Sequence, residues 1–383
     1  MTQRRRRGRG EGGVYRRSDG RWTGQVYLGW RDGHRVRKTV QGSTEKDVRD
    51  KVRELVRNVR DGTPPPSRTP RLDAFMEQWL VAVRPTLRPS TYVSYEGTTR
   101  LHITPHLGRI PLDKLTVEHV AQLLASKQAD SRLSDRSARY VLQVLRNALG
   151  KAVRWGVLSR NVATLVDPPR VPYKEVRVLT PGETSNLLEA ARGDPIESLV
   201  VVAVSTGLRL GEALGLQWSD VDITRRQLRV NKTLQRVSGL GQILAETKSR
   251  RGRRTIFLPV RAAEAFRNEQ AHQNDRRIAA GKDWNPTDFV FTSQTGRPLD
   301  QRNVLRMFRR MLRKARLPRM RFHDLRHSCA SLLLAEGVSP RVVMETLGHS
   351  RISVTMDTYT HVMPTLMRDA ADAIDRSLDR DAR

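Results

Sequence analysis

Cysteine is all but missing from this chain: Cys329 is its one thiol, which excludes an intramolecular disulfide and fits a reducing compartment. Long apolar runs are missing too. Nothing approaches the ~18 residues that a membrane span needs, and Leu199 to Val204 reads instead as the middle of a buried helix. The opening Met-Thr-Gln-Arg-Arg-Arg-Arg is basic but lacks the apolar segment of a secretory signal, so a cytoplasmic location with no membrane partner is expected. Acidic residues are scarce beside basic ones, 40 against 70 in 383 residues, and the formal net charge is +30. Spread along the whole length, that excess favours a polyanion over a single acidic ligand, because every neutralised phosphate releases counterions.

What is present divides the chain. Length suggests two or three domains at roughly 150 residues each. Two proline-rich breaks, Thr63-Pro64-Pro65-Pro66-Ser67 and Asp167-Pro168-Pro169-Arg170, set expected domains at residues 1–66, 67–170 and 171–383. Residues 1–12 are rich in Arg and Gly, with too little apolar content to fold before they meet phosphate. From Gly13 to Val40 short alternating runs are separated by Ser18-Asp19-Gly20 and Arg31-Asp32-Gly33, which predicts three strands. Ser43-Thr44-Glu45 then opens a helix with Val48, Val52, Leu55, Val56 and Val59 on one face. A small basic sheet of this kind can enter a DNA groove, and Arg35, Arg37 and Lys38 are its candidate contacts.

The second domain reads as a helical bundle. Leu72, Phe75, Met76, Trp79 and Leu80 form one stripe, further helices start after Pro89 and at Thr116, and Ser134 opens a longer one whose apolar positions include Tyr140, Val141, Leu145 and Val153. Arg88, Tyr92, Arg100, His102, Arg136, Arg139, Arg146 and Lys151 are its exposed candidates for a phosphate backbone, although solvated helix faces have the same composition.

The third domain carries the groups with chemistry. Leu179-Thr180-Pro181-Gly182-Glu183 is a capping-box start, and Ile196 to Val204 predicts a central helix ended by Thr206-Gly207. Arg209 and Glu212 follow at a spacing that lets the carboxylate orient the guanidinium. Gln227 to Val230 and Arg254 to Leu258 read as strands enclosing a basic turn with Lys248, Arg250 and Arg251, which can be laid against phosphates. His323 and Arg326 stand at helical spacing, so both are expected to point outward from one helix start, while Leu325, Cys329, Leu332 and Leu333 face inward. His349 falls in the turn after Gly348, and Tyr359 alone reads as an interfacial aromatic.

Taken together, Thr206-Gly207-Leu208-Arg209-Leu210-Gly211-Glu212, Thr247-Lys248-Ser249, His323-Asp324-Leu325-Arg326-His327, Leu347-Gly348-His349-Ser350 and Tyr359-Thr360-His361 resemble, in order and spacing, the tyrosine recombinases, the phage-integrase family of site-specific DNA recombinases. The resemblance runs from about Val178 to Pro364. It implies a mainly α fold with small β-sheets: an N-terminal three-stranded sheet plus helix that binds arm-type DNA sites, a helical core-binding bundle, and a mixed α+β catalytic domain. It also implies Arg209, Lys248, His323, Arg326, His349 and Tyr359 as the catalytic set, with Glu212 in support.

On that reading Tyr359 takes the 3′ phosphate as a phosphotyrosine, and the two arginines favour its phenolate and neutralise the crowded phosphorus oxygens. His323 and His349 add hydrogen bonds or accept the phenolic proton, and Lys248 protonates the leaving 5′ oxygen. No metal and no cofactor are expected, since the phosphotyrosine stores the cleaved bond. The implied partners are double-stranded DNA attachment sites, a homotetramer on two duplexes, and an excisionase or host DNA-bending protein as accessory. Residues 364–383 carry Leu366, Met367, Ala370, Ala373, Ile374 and Leu378 at helical spacing, suited to docking on their own domain or on a neighbouring protomer. A chromosome-dimer-resolving recombinase, a non-catalytic DNA-binding protein of the same fold and a topoisomerase are the competing readings; the separate N-terminal module favours an integrase.

Overall fold

The computed structural model describes residues 13–31, 34–60, 69–130, 133–172, 177–247, 252–348 and 371–372. The basic start, the Asp32-Gly33 turn, the first proline-rich boundary and almost all of the C-terminal segment lie outside them. The chain forms two compact units, Met1–Tyr173 and Lys174–Arg383. Among the described residues no helix is long and apolar enough to cross a membrane.

In the first unit, β1 (Gly13–Arg16), β2 (Trp22–Arg31) and β3 (His34–Gly42) form the expected antiparallel sheet in sequence order, with a register shift between Tyr27 and Gly29. Helix α1 (Glu45–Arg60) starts where Thr44 Oγ1 accepts the Asp47 N–H. Its valine face closes a small core of Val26, Val48, Val52 and Leu55.

A separate and larger core belongs to the bundle of α2 (Leu72–Val83), α3 (Pro89–Thr98), α4 (Thr104–Leu107), α5 (Val117–Ala129) and α6 (Asp135–Arg154). A π-helical turn, Thr99–Ile103, joins α3 to α4. The predicted stripe of Leu72, Phe75, Met76, Trp79 and Leu80 is buried, and Trp79 stacks on Tyr95 at 5.4 Å. Tyr140 departs from expectation: it remains exposed because its hydroxyl accepts a hydrogen bond from Ser94 at the bundle surface instead of entering the core.

The second unit packs α7 (Pro181–Ala191), α8 (Glu197–Thr206) and α9 (Leu210–Leu214), then β4 (Val221–Asp222), β5 (Gln227–Val230), β6 (Lys232–Val237), β7 (Gly241–Glu246) and β8 (Arg254–Phe257), then α10 (Val260–Ala280), α11 (Gln301–Lys314), α12 (Asp324–Ala335) and α13 (Pro340–Leu347). The Thr180 capping box is present as read, with Pro181 in the first turn. Helix α8 is apolar on nearly every side because α7, α10 and α12 all pack on it. The strands form one sheet in the order β4-β5-β8 and a separate hairpin, β6-β7. That hairpin was not foreseen, although Thr233-Leu234-Gln235-Arg236-Val237 alternates and Gly239 and Gly241 supply its left-handed turn.

Candidate active site

The site begins at the end of α8. Gly207 caps the helix with φ +63°, a left-handed conformation that ordinary side chains rarely adopt, and a Cβ there would lie 2.2 Å from Leu347 Cδ2. A helix end leaves carbonyls without intrahelical partners. The Gly207 carbonyl accepts Arg326 Nη1 at 2.8 Å, across 119 residues of sequence.

Arg326 is therefore not an outward-pointing partner of His323. It is 1% exposed, in the first turn of α12, while His323 caps that helix at the surface. Their spacing was read correctly, but their orientation was set by the carbonyl opposite. Ser328 fixes α12 further, accepting the Leu179 N–H and donating to the Asp324 carbonyl, both at 2.9 Å. Upstream, Phe322 packs edge-on against Phe308 of α11 at 5.2 Å, and Asp324 accepts three groups of Arg321.

Arg209 caps α9 through a reciprocal contact with Glu212. Its Nη1 meets Glu212 Oε1 at 2.6 Å and its backbone N–H meets Oε2 at 3.1 Å. The Arg209 side chain is 41% exposed and that of Glu212 only 5%, so this is no ordinary surface ion pair. Burial alone pushes the Glu212 carboxyl up, but Arg254 and then Arg209 overcome it and hold the pKa below the usual carboxylate range.

Arg326 and Arg209 also bear on His323. Partial burial lowers its pKa first, followed by the charges of Arg326, Arg209 and Arg321. Arg209, His323 and Arg326 thus lie in one region, drawn from the cap of α9 and the first turn of α12. His327 sits edge-on to His323 at 5.1 Å, and burial together with that neighbour pushes it down to about 4. Cys329 is buried beside Arg326 with its thiol pushed up to about 12 by burial, which fits the small core residue expected and keeps it protonated. Guanidinium forks and an imidazole on one surface suit a phosphate group that needs charge and directed donors together.

Lys248, His349 and Tyr359, with Arg250 and Arg251, lie outside the described residues. Of the other expected contacts, Arg35 and Arg37 are exposed on β3, and Arg136 and Arg139 on α6. Lys38 is half-buried and its pKa is lowered by burial against the pull of Asp113, while Arg88 is a half-buried cap of α3. Tyr92 packs on the bundle core with the Arg84 guanidinium 5.3 Å over its ring.

Arg146 is not an exposed contact at all: it donates to the carbonyls of Ala163 and Val166, tying α6 to the segment that follows. Arg100 pairs with Glu96, Lys151 stands over Trp155, and His102 is half-buried. Two residues of the site carry no distinguishing signal in the sequence: His327 closes the His323-Asp324-Leu325-Arg326-His327 motif without an implied role, and Arg254, 6% exposed and bonded to Glu212 at 2.9 Å, reads as an ordinary strand residue. Nothing in the sequence distinguishes Arg254 from its exposed neighbour Arg253.

The phage integrase family matches residues 177–365, and the phage integrase N-terminal SAM-like domain matches residues 72–127. An integrase of Streptomyces ambofaciens is 31% identical over 390 aligned positions, covering 97% of each chain. The solved Tn1549 transposon integrase in complex with transposon right end DNA superimposes with a TM-score of 0.64 at 23% identity, covering 78% of this chain and 99% of that one. A lambda integrase tetramer bound to a Holliday junction gives a TM-score of 0.55 at 18% identity, covering 89% and 96%; at such identities the likeness is one of fold. The catalytic and N-terminal matches fall in order and the Streptomyces relative spans nearly the whole length, so the chain belongs to the phage integrase family of tyrosine recombinases, DNA strand-exchange enzymes that serve mobile elements.

Proposed function

We propose that this chain integrates and excises a mobile element by cutting and rejoining double-stranded DNA through a 3′-phosphotyrosine. The observation that carries the proposal is the convergence of Arg209 and Arg326 on His323, from residues far apart in sequence. Arg209 and Arg326 neutralise the oxygens of the five-coordinate phosphorus and favour the phenolate of Tyr359, whose unassisted pKa of about 10 would leave it a poor nucleophile. His323, whose pKa is lowered by partial burial and the neighbouring arginines, accepts or relays the phenolic proton together with His349. Lys248 protonates the 5′ oxygen as it leaves. Attack by a 5′ hydroxyl from another duplex reverses the step, so the bond energy is conserved and the exchange needs no ATP.

Residues 13–60 and the bundle act as two DNA-binding modules ahead of the catalytic domain; their separate cores support that division. Four copies on two duplexes carry out the exchange, a reading supported by the likeness to a lambda integrase tetramer bound to a Holliday junction. An excisionase or a host DNA-bending protein sets its direction, and work on DNA in this way fits a nucleoid-associated, cytoplasmic location. The test is Tyr359→Phe: binding to DNA from the element's junction should persist while covalent protein–DNA adducts vanish. An adduct surviving in that variant overturns the assignment, and relaxation of a plasmid lacking any site would point to a topoisomerase instead.

A further inference from the structure

Arg254 belongs to no motif, yet it joins segments that carry four of the groups discussed above. From β8 it donates Nη2 to Glu212 Oε2 at 2.9 Å, Nε to the Thr346 carbonyl at 2.7 Å and Nη1 to the Gly252 carbonyl at 3.3 Å. Glu212 holds Arg209; Gly252 follows Lys248 by four residues in sequence; and Thr346 lies in the last turn of α13, just before Leu347-Gly348-His349 in sequence. We infer that Arg254 is a positioning residue of the strand-exchange reaction, tying the Glu212 carboxylate, and through it the Arg209 guanidinium, to the C-terminal end of α13. This inference rests on the recombinase reading above.

The chemistry of the contacts explains why arginine is needed. The Nη2, Nε and Nη1 atoms of Arg254 are each engaged by a protein acceptor, and its side chain is only 6% exposed, which suits it to holding other groups in place. A buried ion pair is in general weak evidence for stability, since apolar residues of similar volume often do as well. What an apolar residue cannot do is bond a carboxylate and a helix-end carbonyl at once, and a lysine presents a point charge in place of a planar fork. Occupying Glu212 Oε2 also prevents Arg209 from closing on both carboxylate oxygens in a bidentate pair. The inner arginine neutralises the buried carboxylate, and the outer one, 41% exposed, keeps part of its fork turned to the surface.

The charged groups facing Glu212 are Arg254 from β8 and Arg209 from the cap of α9. Removing Arg254 leaves burial opposed by a single arginine, and the carboxylate then protonates at higher pH.

The experiment measures the rate of adduct formation against pH, with full-length protein saturating a nicked duplex taken from the element's own junction. Arg254→Gln should slow adduct formation about 100-fold and move the acid limb upward in pH, whereas Arg254→Lys should restore the limb and lose only about tenfold. In a Glu212→Gln background the Arg254→Gln substitution should add little, because the two act through one contact. Thermal unfolding and DNA affinity are followed in parallel, and if Arg254→Gln does not fold, Arg254→Lys and its acid limb decide the matter. Wild-type adducts with unchanged rate and limb in folded variants, or additive losses with Glu212→Gln, overturn the positioning role alone. Failure of the wild type to form any Tyr359-dependent adduct overturns the recombinase reading and this inference with it.

Discussion

Arg326 and Arg136 both stand in the first turn of a helix, yet they live in different media. Arg326 is 1% exposed and held by a carbonyl from another helix; Arg136 projects from α6 into solvent. The contrast extends to their surroundings, since the second unit locks Arg209, Glu212 and Arg254 into shared hydrogen bonds while the bundle leaves Arg139 exposed. A guanidinium that must meet developing charge at a fixed place gains from preorganisation, because no reorganisation is then needed at the moment of reaction. One that follows a phosphate backbone gains from mobility, since long-range charge carries most of its contribution.

The sharpest break of this contrast is Arg326→Lys. A lysine keeps the charge and loses the fork, so the adduct rate should fall by about 10²- to 10³-fold with DNA affinity little changed; equal losses in rate and affinity would put Arg326 with the solvated group. Next comes Gly207→Ala, which combines a positive φ with a Cβ against Leu347 and so disturbs the carbonyl that seats Arg326. It should cost about 1–3 kcal/mol in chemical denaturation.

Replacing Arg136 and Arg139 together by Gln should act oppositely, leaving the adduct rate at saturation intact. Measured over a salt series, the slope of log affinity should become shallower by about two if each meets a phosphate. The smallest effect concerns pH. His327 has a folded pKa of about 4, below the ordinary histidine value of about 6.5, so the unfolded chain takes up the proton first as pH falls. Its contribution to stability is complete above about 6.5 and is lost as pH drops toward 4, and His327→Gln should flatten that part of the stability profile.

Much of the architecture was legible because its causes are local. The valine spacing of α1, the capping box at Thr180 and the glycine stops at 207 and 348 act over a few residues and appear in the fold as read. Tyr140 and Arg146 were misjudged for a common reason. A tyrosine at a helical apolar position and an arginine at a polar one look unambiguous until a hydroxyl on α3 or carbonyls beyond α6 come within reach. The β6-β7 hairpin is hard to read from sequence because its second strand, Gly241–Glu246, carries few β-branched or aromatic residues.

From sequence alone came the periodicities, the helix ends and the set of motifs that name a strand-exchange chemistry, since backbone hydrogen bonding and apolar spacing are written into neighbouring residues. Tertiary structure alone decided which guanidiniums are drawn inward: Arg326 against Gly207, Arg254 between Glu212 and Thr346, and the half-buried Arg146 against Ala163 and Val166. Desolvating such a charge is tolerable only where acceptors converge on it, and those acceptors are carbonyls and carboxylates brought together by folding.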